Sequence, residues 1–249
     1  MLLENKVAVI YGAGGPIGGA VARAFAREGA KVFLAGRTQA KLDQVADEIR
    51  LNGNIAETTV VDALNEETVN QYVDAIAKQT GYIDISFNLI GYGDVQKLLT
   101  EISAEDFLQP ITNAMRTQFL TTRAAVRHMI KRGSGVILHF GGSGPQTLPG
   151  LGGFKIALDA IEGLRRQWAI ELGQHGIRVV TLKTGGVPNS IPENAPERKG
   201  IEASLQEVTL LKRTATLADV GNVAAFVASD QARTMTSTEV NISCGAIVD

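Results

Sequence analysis

Short runs of apolar and β-branched residues recur along this chain at a regular pace. They cover residues 6–12, 31–36, 56–62, 83–91, 135–141, 177–185 and 238–243, and each ends at a glycine, an aspartate or a serine. Their length and composition predict seven strands. Most are apolar on both faces, as strands covered by helices on both sides must be. Amphipathic stretches lie between them. Residues 17–30 and 38–53 read as helices, the second with Leu42, Val45, Ala46 and Ile49 at the i, i+3, i+4 and i+7 positions of one face. Strand and helix in alternation imply right-handed crossovers and a parallel, doubly wound, seven-stranded α/β sheet of Rossmann type with helices on both faces. No internal repeat or low-complexity linker interrupts the pattern, so residues 1–249 are expected to form a single domain.

Composition narrows the partners. With 249 residues, 45% of them hydrophobic, the chain can bury a substantial core, and its net charge of −2 comes from basic and acidic residues that form no like-charged run. That balance offers no electrostatic footprint for a nucleic acid or an anionic membrane, which leaves a small molecule as the expected partner. Cys244 is the one cysteine, so an internal disulfide framework and a thiolate metal cluster are excluded and a reducing, cytoplasmic setting fits. The apolar run near the N-terminus is too short for a signal peptide or a membrane span, so the protein is expected to be soluble.

In a doubly wound sheet, ligands bind beyond the carboxyl ends of the strands, and those ends carry the candidate chemistry. The first strand runs into "YGAGGPIGGA". There Gly12 permits a tight turn, Gly14 and Gly15 let backbone N–H groups approach a diphosphate, and Gly18 lets the following helix pack close to the sheet. A glycine cluster also makes mere tight turns; the strand-to-helix setting favours the diphosphate. The second strand ends "LAGRT", with no acidic residue between Val32 and Lys41. A carboxylate here would hold the ribose hydroxyls of NAD, whereas Arg37, with the Thr38 hydroxyl, suits the 2′-phosphate of NADP. The alternative is that Arg37 is a solvated start of the next helix. Asp62 either accepts a hydrogen bond from an adenine amino group or caps the helix that starts near Glu66. Gly91, after "FNLI", lets the chain pass close to a ribose.

Taken in order, "YGAGGPIG", "GRT", "VDA", "FNLIG" and the lysine-headed helix beginning "FKIALDAIEGL" resemble a short-chain dehydrogenase/reductase over essentially the whole chain. The resemblance implies a nicotinamide cofactor bound by Gly12, Gly14, Gly15, Pro16, Ile17, Gly18, Arg37, Thr38, Asp62, Ala63, Asn88, Gly91, Lys155, Gly185 and Val187. Departures from the family pattern are as informative. Tyr11 replaces the family's threonine and Pro16 its middle glycine; proline at a first helical position keeps the right φ and lacks only an N–H the helix does not use. The family's proton donor is a tyrosine four residues before the lysine, one helical turn away, and that place is held by Leu151. Phe154, beside the lysine, has no hydroxyl either. The family's serine falls on Gly142, with Ser143 adjacent, and its helix asparagine falls on Ala114, with Asn113 about 100° around the helix.

Lys155 is therefore read as a cofactor residue whose ammonium binds the nicotinamide ribose hydroxyls; the alternative is a solvated lysine at a helix start. Candidate replacements for the missing acid are Tyr92, just beyond the fourth strand, and His139, near the end of the fifth and titratable near neutrality, with burial against a helix as the equal alternative for His139; Ser143 is the hydroxyl placed to stand in for the family's serine. Tyr11 is expected to pack, and Trp168 to lie in the core or a subunit interface. Three activities are compatible with these residues. One is NADP(H)-dependent reduction of a carbonyl or, more readily, of an activated C=C bond. The others are a cofactor-binding pseudoenzyme or sensor without turnover, and a non-redox elimination or isomerisation. Residues 187–211, holding three of the seven prolines, read as a substrate lid. Helices at 111–131 and 157–173 resemble the pair through which family members form a four-helix interface, which implies a homotetramer.

Overall fold

All seven apolar runs form one parallel sheet in the computed structural model, which describes residues 1–141 and 147–248. The strands are β1 Val7–Tyr11, β2 Lys31–Gly36, β3 Ala56–Val60, β4 Ile85–Asn88, β5 Gly135–Gly141, β6 Ile177–Lys183 and β7 Thr238–Asn241, in the spatial order β3-β2-β1-β4-β5-β6-β7. Helices α1 Pro16–Arg27, α2 Gln39–Leu51, α3 Glu66–Thr80, α4 Ala104–Arg132, α5 Gly153–Leu172, α6 Arg198–Val208 and α7 Leu217–Ala228 make up the remaining regular structure, with short 3₁₀ turns.

Burial explains why the strands read as continuous apolar runs. Ala8, Ile10, Leu34, Leu138 and Val180 join Phe25 of α1, Leu42 of α2 and Val220 of α7 in one core layer. Their chain neighbours Val9, Tyr11, Phe33, Ile137 and Val179 join Val73 of α3, Met129 of α4 and Leu172 of α5 in the other. Successive side chains point to opposite faces, so a sheet covered on both sides needs apolar residues at every position. Tyr11 packs as expected, edge-on to Tyr72 with ring centroids 6.1 Å apart.

Strand β4 is shorter than the 83–91 run predicts, for a reason visible at both ends. The Asp84 carboxylate accepts the Val7 N–H at 2.7 Å and an Arg132 guanidinium N–H at 2.8 Å, which anchors the entry to the strand. At the exit, the Asn88 side chain accepts the Ile90 N–H at 3.0 Å and turns the chain out of the sheet. The strand order reverses between β1 and β4, so the crevice beyond their carboxyl ends is the topological switch point. Residues 187–211 hold a 3₁₀ turn, Pro188–Ser190, and then α6, which has no buried residue. Among the described residues no helix is long and apolar enough to cross a membrane.

Candidate functional site

The turn after β1 is built so that only glycine fits at two of its positions. Gly12 has φ 74°, and a Cβ on it would stand 2.5 Å from the Leu89 carbonyl oxygen. A Cβ on Gly18 would stand 2.3 Å from the Gly12 carbonyl oxygen, so α1 can approach the turn only without a side chain there. Gly15 is the N-cap of α1 and Pro16 its first residue. Gly19 N–H closes the first helical bond to the Gly15 carbonyl at 2.8 Å. The N–H groups of Ile17 and Gly18 are left without intrahelical acceptors, at the positive end of the helix dipole. This is an anion-binding arrangement.

Two cations follow the end of β2. Arg37 is exposed in the two-residue link between β2 and α2, so it is not part of the helix, and Thr38 is the N-cap without using its side chain. Lys41, exposed on the first turn of α2, was not singled out in the sequence. A Cβ on Gly14 would stand 2.9 Å from the Lys41 Cβ, so its backbone runs directly against the glycine turn. The signal available beforehand was only its i+4 spacing from Arg37.

Asp62 accepts the Leu64 N–H at 3.0 Å, while α3 is capped by Asn65, which accepts the Thr68 N–H at 3.1 Å. The capping role considered for Asp62 thus belongs to Asn65. Ala63 is buried, and the Arg116 guanidinium holds the Leu64 carbonyl at 2.7 Å from α4. Asn88 is buried and braces the end of β4, donating to the Thr121 hydroxyl at 3.1 Å.

Beyond the ends of β4, β5 and β6 opens a cleft of about 980 Å³, whose walls include Ile17, Gly91, Tyr92, Leu151, Lys155 and Gly185. Gly185 is required by packing, since a Cβ there would meet the Ala246 Cβ at 2.5 Å. Val187 instead places its side chain in the core. Lys155, on the first turn of α5, is largely buried and pairs with the Asp159 carboxylate one turn further along. Ser143 and Gly142 lie outside the described residues.

Three residues singled out in the sequence acquire definite surroundings here. Leu151 precedes α5, which begins at Gly153; Gly152 has φ 54° and ψ −131°, so Leu151 and Lys155 are not related by a helical turn. Positive φ at Gly150 and Gly152 keeps Leu151 out of the helix, and Gly153 then packs closely on α4, where a Cβ would fall 1.9 Å from the Phe107 carbonyl oxygen. Tyr92 lines the cleft with its ring, but its hydroxyl donates to the Phe140 carbonyl at 3.0 Å, and burial pushes its pKa up to about 12. With its proton engaged and its pKa raised it is a poor acid. His139 is fully buried, in register with Asn88 of β4 and Thr181 of β6, and burial with the Arg165 charge nearby lowers its pKa to about 3. It is a neutral interior residue, as the alternative reading had it. Asn113 donates to the Tyr92 carbonyl at 2.9 Å and so helps hold the cleft wall.

Comparison with known proteins gives a consistent result. The sequence model of the family described as "Enoyl-(Acyl carrier protein) reductase" matches residues 12–246. An uncharacterized oxidoreductase, YxbG, of Bacillus subtilis is 30% identical, with 98% of this chain and 91% of that protein covered. Levodione reductase of Leifsonia aquatica is 31% identical, over 97% of this chain and 94% of the relative. The 3-oxoacyl-[acyl-carrier-protein] reductase FabG of Thermotoga maritima is 28% identical over the whole of both. Among solved structures, gox2181 superposes with a TM-score of 0.88 at 25% identity, covering 98% of this chain and 96% of its own. A Serratia marcescens short-chain dehydrogenase/reductase has the same fold, with a TM-score of 0.88 at 24% identity and 99% of each chain covered.

Proposed function

The chain belongs to the short-chain dehydrogenase/reductase family, and from that premise we propose that it is an NADP(H)-dependent reductase acting on a conjugated C=C bond. The observation that carries the reading is the pairing of the Gly12–Gly18 cradle with two cations, Arg37 and Lys41, and no carboxylate at the end of β2. The turn can keep this shape only with glycine at both positions, because a Cβ at either would collide with backbone. The Ile17 and Gly18 N–H groups would hold the cofactor's diphosphate, and Arg37 and Lys41 the 2′-phosphate, through charge-assisted bonds. Lys155 carries three donors, so pairing with Asp159 leaves two for the nicotinamide ribose hydroxyls.

The bound cofactor supplies a hydride. What the protein's own residues do decides the acceptor. Tyr92 is the one tyrosine among the described cleft residues, and its proton is engaged with the Phe140 carbonyl. Leu151 and Phe154 contribute only hydrocarbon side chains to the cleft wall. Among the described cleft residues no free phenol or imidazole stands ready to protonate a ketone's developing alkoxide, whereas a conjugated alkene delocalises its charge as an enolate that water can protonate. General acid catalysis is worth ~10²–10⁴-fold, and that is the margin by which simple ketones should fall behind.

The test has two steps. Fluorescence titration with NADPH and NADH reads binding, and cofactor oxidation is then followed with matched pairs of enones and saturated ketones. Turnover of enones well above ketones supports the proposal. Ordinary rates on unactivated ketones would refute it, and tight NADPH binding with no turnover on any acceptor would make the protein a cofactor-binding sensor.

A further inference from the structure

The composition of the cleft walls says more about the acceptor than its identity as a reductase site. Leu148, Leu151, Phe154, Leu158, Leu205 and Val208 line one continuous space, drawn from the segment before α5, from α5 and from α6. Among the described residues only two charged ones border it, Asp94 and Lys155, and Lys155 is already paired with Asp159. Several wall residues also remain open to water: Leu148 is 71% exposed, Val208 62%, Leu210 69% and Val248 54%. Apolar side chains scattered over a surface need no explanation, but here four of them converge on the mouth of one concave space. A ligand that covers them gains the transfer free energy of its own hydrocarbon and of theirs.

We propose that the substrate is an uncharged, hydrocarbon-rich molecule whose conjugated carbonyl reaches the cofactor while its apolar tail lies between Leu148 and the α6 residues Leu205 and Val208. This rests on the reading of the cleft as a reductase site, and it specifies what that site accepts. A carboxylate in place of the carbonyl would share the cleft with Asp94 and find Lys155 already paired with Asp159, so a free fatty acid of the same length is disfavoured. Residues 187–211 then act as a lid whose contribution is apolar contact, not recognition of a polar group.

Saturated straight-chain methyl ketones, lengthened one methylene at a time, test the inference by calorimetry, because they resemble products of alkene reduction and read binding without turnover. Affinity should tighten about fourfold for each methylene buried, and the acid of equal length should bind at least about tenfold more weakly. Val208→Asp and Leu148→Asp should each flatten the series while NADPH affinity, measured alongside as the check of folding, stays unchanged. Affinity independent of chain length, a series unaffected by both variants, or tighter binding of the acid would overturn the assignment. If the ketone series behaves as expected and no enone oxidises NADPH, the redox reading fails and the apolar site stands. If short polar enones turn over and chain length has no effect, the reverse holds.

Discussion

The Tyr92 hydroxyl donates to the backbone carbonyl of Phe140 at 3.0 Å and thereby ties the segment leaving β4 to the end of β5. Burial raises the phenol to about 12, so it stays a donor at any ordinary pH. Its role is to hold two strand ends together. Tyr92→Phe is expected to lose about 1 kcal/mol of stability in urea unfolding, the typical net worth of such a bond. Enone turnover should fall by far less than the ~10²-fold minimum that removal of a general acid produces. A larger loss of turnover, with stability intact, would return Tyr92 to the catalytic role.

Cofactor choice turns on Arg37. Hydrogen bonds to charged groups contribute about 1.5–3 kcal/mol, so NADPH should bind more tightly than NADH by roughly that amount. Arg37→Ala should remove most of the difference and Lys41→Ala a smaller part, with NADH affinity little changed by either. Both sites are exposed, so the preference should also shrink as salt is added. Equal affinities for the two cofactors in the unaltered protein would sink the assignment of Arg37.

His139 makes stability depend on pH in a defined direction. Burial lowers its pKa from the ordinary 6.5 to about 3, so between those values the unfolded chain binds a proton that the folded protein refuses. Stability from this residue is complete above pH 6.5 and is lost progressively as pH falls towards 3. The loss between pH 8 and pH 5 is about 2 kcal/mol. His139→Gln has nothing to titrate there, so the difference in unfolding free energy between pH 8 and pH 5 should be smaller in the variant by about that amount. Parallel pH profiles for the two proteins would rule the mechanism out.

Assembly is predicted from the outer face of α4 and α5. Phe119 stacks on Trp168 at 5.8 Å between ring centroids, and Phe119, Ile156 and Ile170 remain exposed on the same two helices. We infer a homotetramer in which this face is covered by its counterpart in a second copy, as isologous contacts require. Light scattering at micromolar concentration should give four times the chain mass, and Ile170→Asp should reduce it. A monomeric mass for the unaltered protein would end the inference.

Seven strands, the glycine turn and the amphipathic helix faces were legible in the sequence because each rests on a local relation: a period of two or 3.6 residues, or a glycine where backbone meets backbone. Gly12 and Gly18 are the clearest cases, since a β-strand feeding a helix through so tight a turn has few other solutions. The candidate site was legible only in part. Leu151 and Lys155 stand four apart, but positive φ at Gly150 and Gly152 keeps Leu151 out of the helix, and Gly153 packs against the Phe107 carbonyl more than forty residues away. Lys41 lies against Gly14 because α2 folds back over the turn. His139 and Tyr92 are titratable groups whose chemistry depends on which neighbours bury them, here α4, α5 and the Phe140 carbonyl. Periodicity along the chain determined which elements form and which faces they bury. The direction of a hydroxyl, the burial of an imidazole and the presence of Leu148 and Val208 on one cleft were decided by tertiary packing, because each depends on groups that approach only when the layers close on the sheet.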